Sequence, residues 1–300
     1  MPGIGLMSGK TGIAILLYHY ARFMNEPKMA ESADILIGIV MREIKPDVGK
    51  EFNNGISGII WGIDYLIKQD FLEAEEDLFC EIDTILFQEN KKKINLDDLG
   101  SESTKGIYAW NRYNTAGLLT KNKWYQHLEN CVHHFYDILV SKYTNYILPV
   151  FPCKMLVYFF HFCQTVQQYG LFRPEIDVLY EELPEIVKIS YREEKSISDK
   201  YMLTLMLHEI PMLEKCISRD DAPQAMTLSD VNNFYLTRLI LGCSFPTPEI
   251  ICKTILSIVE DQKQISELLY SLNPYNAGLG NYVGGFSWAM LQCCMEYDRK

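Results

Sequence analysis

A few residue types in this chain could do chemistry, and each has a plain structural alternative. His19 stands between Tyr18 and Tyr20 in the first apolar run, one of six histidines in 300 residues. An imidazole titrates near neutrality, so His19 is a candidate general base lining a cavity. A hydrogen-bonded core or rim histidine is the competing reading, and the same pair of readings applies to His161 and His208. Asp64 follows Gly62 at the expected N-terminus of an inner helix, where the helix dipole favours a carboxylate, and Asp199 opens another inner run. Two carboxylates flanking a sugar bond are glycosidase machinery; capping and surface acids are the alternative. The nine cysteines sit singly in apolar stretches, apart from the vicinal Cys293 and Cys294, and none forms a CxxC pair. They read as reduced, buried thiols, and Cys293-Cys294 as two faces of one buried helix. No Ser-His-Asp elbow, Walker loop or dinucleotide fingerprint is present.

These residues are carried on a repeat. Gly5-Leu6-Met7-Ser8-Gly9-Lys10-Thr11-Gly12-Ile13 leads into an apolar run ending at Tyr20. About fifty positions later stands Gly55-Ile56-Ser57-Gly58-Ile59-Ile60-Trp61-Gly62-Ile63. A worn copy spans Leu99-Gly100 and Gly106-Ile107-Tyr108, and a last one is Gly278-Leu279-Gly280-Asn281-Tyr282-Val283-Gly284-Gly285-Phe286. Between residues 106 and 278 the glycines vanish, but apolar runs at Cys153–Phe162, Tyr201–Leu207 and Phe234–Leu241 keep the rhythm. Spacings of about 40 to 50 residues belong to helical-hairpin repeats.

The intervening stretches are amphipathic. Trp124, Leu128, Cys131, Phe135 and Ile138 recur at helical spacing, with His127, Glu129, Asn130, His134 and Asp137 largely off that stripe. Further amphipathic helices are expected at about Lys28–Glu43, Ala74–Gln88, Pro174–Ile189 (kinked at Pro184) and after the Thr247-Pro248-Glu249 cap. A helix apolar all round must be enclosed by protein, whereas an amphipathic one needs a wet side. The expected fold is therefore all-α, an α/α toroid of about seven helix pairs with inner and outer rings, in a single domain over residues 1–300. An open solenoid is the alternative. In a toroid the glycines let helix entrances crowd together, with occasional positive φ. Unpaired N–H groups at those entrances would face the central mouth. The residues expected at this mouth are His19, Trp61, Asp64, Tyr275, Asn276 and Tyr282, where rigid aromatics with polar tips suit recognition of a peptide or sugar. Filling of a wide interior is the other use for them.

A net charge of −11 argues against nucleic-acid binding, and the run Lys91-Lys92-Lys93 is flanked by acids. Gly12 to Tyr18 is too short for a membrane span and lacks the basic start of a signal peptide. The expected location is cytoplasmic, with no membrane partner.

The three glycine-rich segments resemble those of the lanthionine synthetase C-like family, specifically over residues 1–113 and 276–296 and in rhythm between, and the chain resembles divergent members of that family from gut Bacteroidetes. The resemblance implies an (α/α)₇ toroid and descent from zinc enzymes that add a Cys thiolate to a dehydrated Ser or Thr in a ribosomally made peptide. The family holds its zinc with two Cys and one His, in a Trp-Cys-Tyr-Gly-like element and a Cys-His-Gly element. Neither string exists here: Cys131 has His133 two positions on, and Cys243 is followed by Ser244 and Phe245. The expectation is thus a zinc-free member with no metal site or cofactor, binding a peptide or a peptide-modifying enzyme. The alternatives are a glycan- or peptide-processing enzyme using cavity carboxylates, and a non-catalytic interaction module.

Overall fold

Helix α1 (Lys10–Met24) starts at Gly9, whose φ of −139° is extended, and stops at Asn25, whose φ of 53° is left-handed. Asn tolerates that cap conformation, and Pro27 then opens α2 (Pro27–Glu43) at the position where a missing N–H costs nothing. The pairs Lys10–Glu43 (2.9 Å) and Tyr18–Asp34 tie the two helices into an antiparallel hairpin.

The structure is a computed structural model describing residues 3–45, 48–49, 52–73, 79, 83, 86–87, 99–139, 148–217, 226–242, 249–261, 279 and 282–297. The remaining helices are α3 (Ile56–Lys68), α4 (Leu99–Thr115), α5 (Leu118–Leu139), α6 (Cys153–Gln168), α7 (Arg173–Glu181), α8 (Pro184–Glu193), α9 (Ile197–His208), α10 (Leu228–Leu241), α11 (Glu249–Glu260) and α12 (Tyr282–Tyr297). The fold is all-α: among the described residues there is no strand, only an isolated bridge between Gly3 and Gly9. No described helix is long and apolar enough to cross a membrane.

The chain forms two compact units, one of residues 1–88 with 225–300, the other of residues 89–224. In the first, α1 packs on α2, α3 and α12, and α10 on α11 and α12. Ten of the thirteen residues of α3 are buried but only three of the seventeen in α2, Ala33, Ile37 and Val40. That contrast is the expected alternation of enclosed and half-wet helices. The α1–α3 contact is parallel, because Thr11 meets Gly62 near the helix starts and Arg22 reaches Gln69 near their ends. Likewise α12 runs parallel to α1, through Leu279 beside Gly12 and Trp288 beside His19, and to α10, through Gly285 beside Asn232 and Cys293 beside Tyr235.

In the second unit α6 is central, touching α4, α7, α8 and α9. The stripe Trp124, Leu128, Cys131, Phe135 and Ile138 on α5 is buried as its spacing requires. Phe135 packs edge-on against Phe159 and Phe162 of α6 at 4.9 and 5.5 Å. Gly106 of α4 makes room for Phe162; a Cβ there would lie 2.7 Å from the ring. Pro184 does more than kink its segment. It begins a new helix, since a proline inside would remove a hydrogen bond and clash with the preceding turn. Most of the expected helix at 74–88 and the Thr247-Pro248 cap lie outside the described residues; within the former, Asp83, Leu86 and Phe87 are helical.

Two expectations about the glycines are corrected. No described glycine in the repeats has positive φ; Gly170 and Gly242 do, and both lie elsewhere. The repeat glycines serve close approach instead. A Cβ on Gly58 would run into the Phe52 carbonyl, and one on Gly62 would sit 2.6 Å from Thr11 Cγ2. The first N–H groups of α1 and α3 are also not left for a ligand. Lys10 donates to the Gly3 carbonyl and Ile56 to the Gly49 carbonyl, both at 2.8 Å.

Candidate functional site

The register between the first two repeats decides which side chains meet. Gly9 and Gly55 each cap a helix start, so the copies align at an offset of 46 rather than fifty. His19 therefore stands opposite Tyr65, and their Nε2 and hydroxyl are 2.8 Å apart. Phe71 and Trp288 close around the imidazole edge-on, with ring centroids at 4.9 and 5.0 Å. Trp61 stacks on Tyr65 at 5.4 Å and meets Phe52 at 5.9 Å. The result is a continuous aromatic row, Phe52–Trp61–Tyr65–His19–Trp288, drawn from the first, second and last repeats.

The electrostatics of this row are those of a core. His19 is 5% exposed, and burial, with a smaller push from the Arg22 charge, lowers its pKa to about 4. Burial likewise raises that of Tyr65. A neutral imidazole hydrogen-bonded to a neutral phenol satisfies both groups. Arg22 lies over Phe71, 3.6 Å from the centroid, and donates to the Gln69 carbonyl at 2.6 Å, closing the end of α3. Arg22, Phe71, Tyr18 and Asn25 line a cleft of about 340 Å³ above the α1–α2 turn. Burial first, and then the hydrogen-bonded Asp34 carboxylate, raise the pKa of the Tyr18 hydroxyl.

The other expected site residues divide as follows. Trp61 is buried within the aromatic row. Asp64 lies in the second half of α3 rather than at its N-terminus, because the helix already starts at Ile56, and it is buried and ion-paired with Lys68 at 2.8 Å. Tyr275 and Asn276 lie outside the described residues, as does the side chain of Tyr282 on α12. Asp199 belongs to the second unit, in the first turn of α9, where its N–H donates to the Ser196 hydroxyl. His161 is also held neutral by burial, with a pKa of about 4.

Sequence reasoning missed Tyr65, Phe71 and Glu194. Tyr65 was detectable through the 46-residue offset. Glu194 accepts the Cys153 N–H at the start of α6 on one oxygen and the Ser196 N–H at the start of α9 on the other, both at 2.9 Å. It thereby fastens two helix entrances side by side. Sequence reasoning also missed two buried groups without hydrogen-bond partners among the described residues, Asn232 Oδ1 on α10 and Trp288 Nε1 on α12.

A zinc site of the implied kind needs thiolates. Among the described residues no three His, Cys, Asp or Glu side chains are placed to share a metal. Burial pushes up the thiol pKa values of Cys131, Cys153 and Cys163, the opposite of what a metal ligand needs. These described residues do not fit the group; Cys80 and Cys243 lie outside the description.

Comparison with known proteins gave no match to any family model, curated protein or solved structure.

Proposed function

We propose that this chain is a lanthionine synthetase C-like α/α toroid that works without zinc, binding a ribosomally made peptide in the cytoplasm beside the enzymes that modify it. The observation that carries this reading is the place of α1. It runs parallel to the second repeat's α3 on one side and the last repeat's α12 on the other. In an open solenoid the first repeat has only one such neighbour; a closed row gives it two. Within the other unit, α4 beside α6 and α6 beside α9 form a parallel row of their own, through Gly106 with Phe162 and through Glu194. The zinc-free part rests on the missing Trp-Cys-Tyr-Gly-like and Cys-His-Gly strings.

The burial of Trp61 and Trp288 makes these two aromatics filling rather than a recognition surface. Binding, on this reading, uses clefts outside that row. Selection of a random-peptide phage library on the immobilised protein tests the function. An enriched consensus peptide that binds saturably in fluorescence anisotropy is the expected result. No enrichment over an unrelated acidic helical protein would contradict it.

A further inference from the structure

The second unit carries a cleft of about 620 Å³ between α6, α7 and the turn after α9. Its wall includes Tyr180, which is 3% exposed and packs its ring against Phe160 at 5.9 Å. The Tyr180 hydroxyl is buried and has no hydrogen-bond partner among the described residues. Buried hydroxyls normally find one, so an unpaired hydroxyl beside a cleft calls for a partner that the described residues do not supply. Asp177, on the same wall, is close enough for its charge to act on that hydroxyl.

The groups around it are mostly acceptors. Gln164 and Gln167 of α6 have their amide N–H₂ groups engaged, with the Met206 carbonyl at 3.5 Å and Asp177 Oδ1 at 3.0 Å. Their carbonyl oxygens remain, as does the second Asp177 oxygen. Glu181 and Glu209 also line the cleft, and neither has an ion-pair partner among the described residues. Against three carboxylates stands one cation, Arg173. Such a wall suits a group with several N–H donors and no acceptor, which is what a primary ammonium is.

We infer that this cleft takes a primary alkylammonium, presented as a lysine side chain of a bound peptide. The ammonium donates to the Tyr180 oxygen and to the carboxylates. Arg173 complements a peptide carbonyl. The lysine as the source of the ammonium rests on the peptide-binding reading above; the ammonium site itself does not.

Met212 lines the cleft and is 48% exposed, so its methyl group reports on occupancy. The experiment is a ¹³C-methyl-methionine NMR titration at physiological salt, with the Met212 resonance assigned through Met212→Leu. The probes are acetyl-Ala-Lys-Ala-amide, the same peptide with Nε-acetyl-lysine, and spermidine. The expected result is a saturable Met212 shift with the free-lysine peptide that is lost on acetylation. Tyr180→Phe should weaken binding at least fivefold while leaving the unliganded melting temperature equal or higher, since it deletes an unpaired polar atom. Glu209→Gln, at an exposed position, should weaken binding without affecting folding. Saturation by spermidine but not by the peptide keeps the ammonium site and removes the peptide reading. No saturable shift with either amine, or equal binding by the acetylated peptide or by Tyr180→Phe, overturns the proposal.

Discussion

His19 and Tyr65, 46 residues apart in sequence, share a hydrogen bond of 2.8 Å inside a shell of aromatic rings. The pair sits where two repeats lie in parallel register, and its chemistry is that of a neutral core contact. Burial keeps the His19 pKa near 4, below the ordinary 6.5 of the unfolded chain. Between those values the unfolded state binds more protons, so stability contributed by His19 is complete above pH 6.5 and is lost as pH falls toward 4. His161 acts in the same direction. Replacing His19 with Gln should flatten the fall in unfolding free energy across that window by up to about 1.4 kcal/mol per pH unit. Urea melts from pH 7 to pH 4.5 measure it; an unchanged slope would mean that His19 titrates normally.

The glycines offer an internal control. Gly58 lies against the Phe52 carbonyl, while Gly38 in α2 has only the tip of Arg42 near, at 3.9 Å. Alanine is favoured over glycine in a helix by roughly 0.5–1 kcal/mol. Gly38→Ala should therefore stabilise by about that amount, and Gly58→Ala should destabilise by about 1–3 kcal/mol as an overpacked site does. Denaturant midpoints decide it. If both substitutions stabilise, close approach is not what glycine provides in the repeats.

Glu194 offers a third test. Glu194→Ala removes acceptors from the N–H groups of Cys153 and Ser196 together. The loss should be about 1–2 kcal/mol, in the range for helix caps. Glu193→Ala, one position earlier and exposed, should change stability by less than about 0.5 kcal/mol. Equal effects would remove Glu194 as a fastening between α6 and α9.

Much of this was legible in sequence because short-range periodicity survives in a single chain. The buried stripe on α5 was visible as steps of three and four, and α3 as an apolar run after a glycine-rich start. What was not legible depends on register and tertiary contact. Alignment of Gly5 with Gly55 hid the partnership of His19 and Tyr65, which emerges only when Gly9 is matched to Gly55. Trp61 and Asp64 were expected at an open mouth, but the packing of α3 encloses Trp61 and pairs Asp64 with Lys68. Glu194 carries no sequence signal, because nothing local shows that two helix starts converge on it.

The metal expectation has its own test. Purified protein, assayed by elemental analysis without chelator, should carry far less than one zinc per chain. About one zinc per chain, lost on replacing Cys243 with Ala, would restore the cyclase chemistry that the resemblance implies.

Closure into a toroid is the claim on which the proposed function depends, and small-angle X-ray scattering tests it most directly. A closed toroid of 300 residues should scatter as a compact domain, with a radius of gyration of about 19 Å and a symmetric pair-distance distribution. A radius several ångströms larger, with a distribution skewed to long distances, is the signature of an open solenoid and would contradict the closed row.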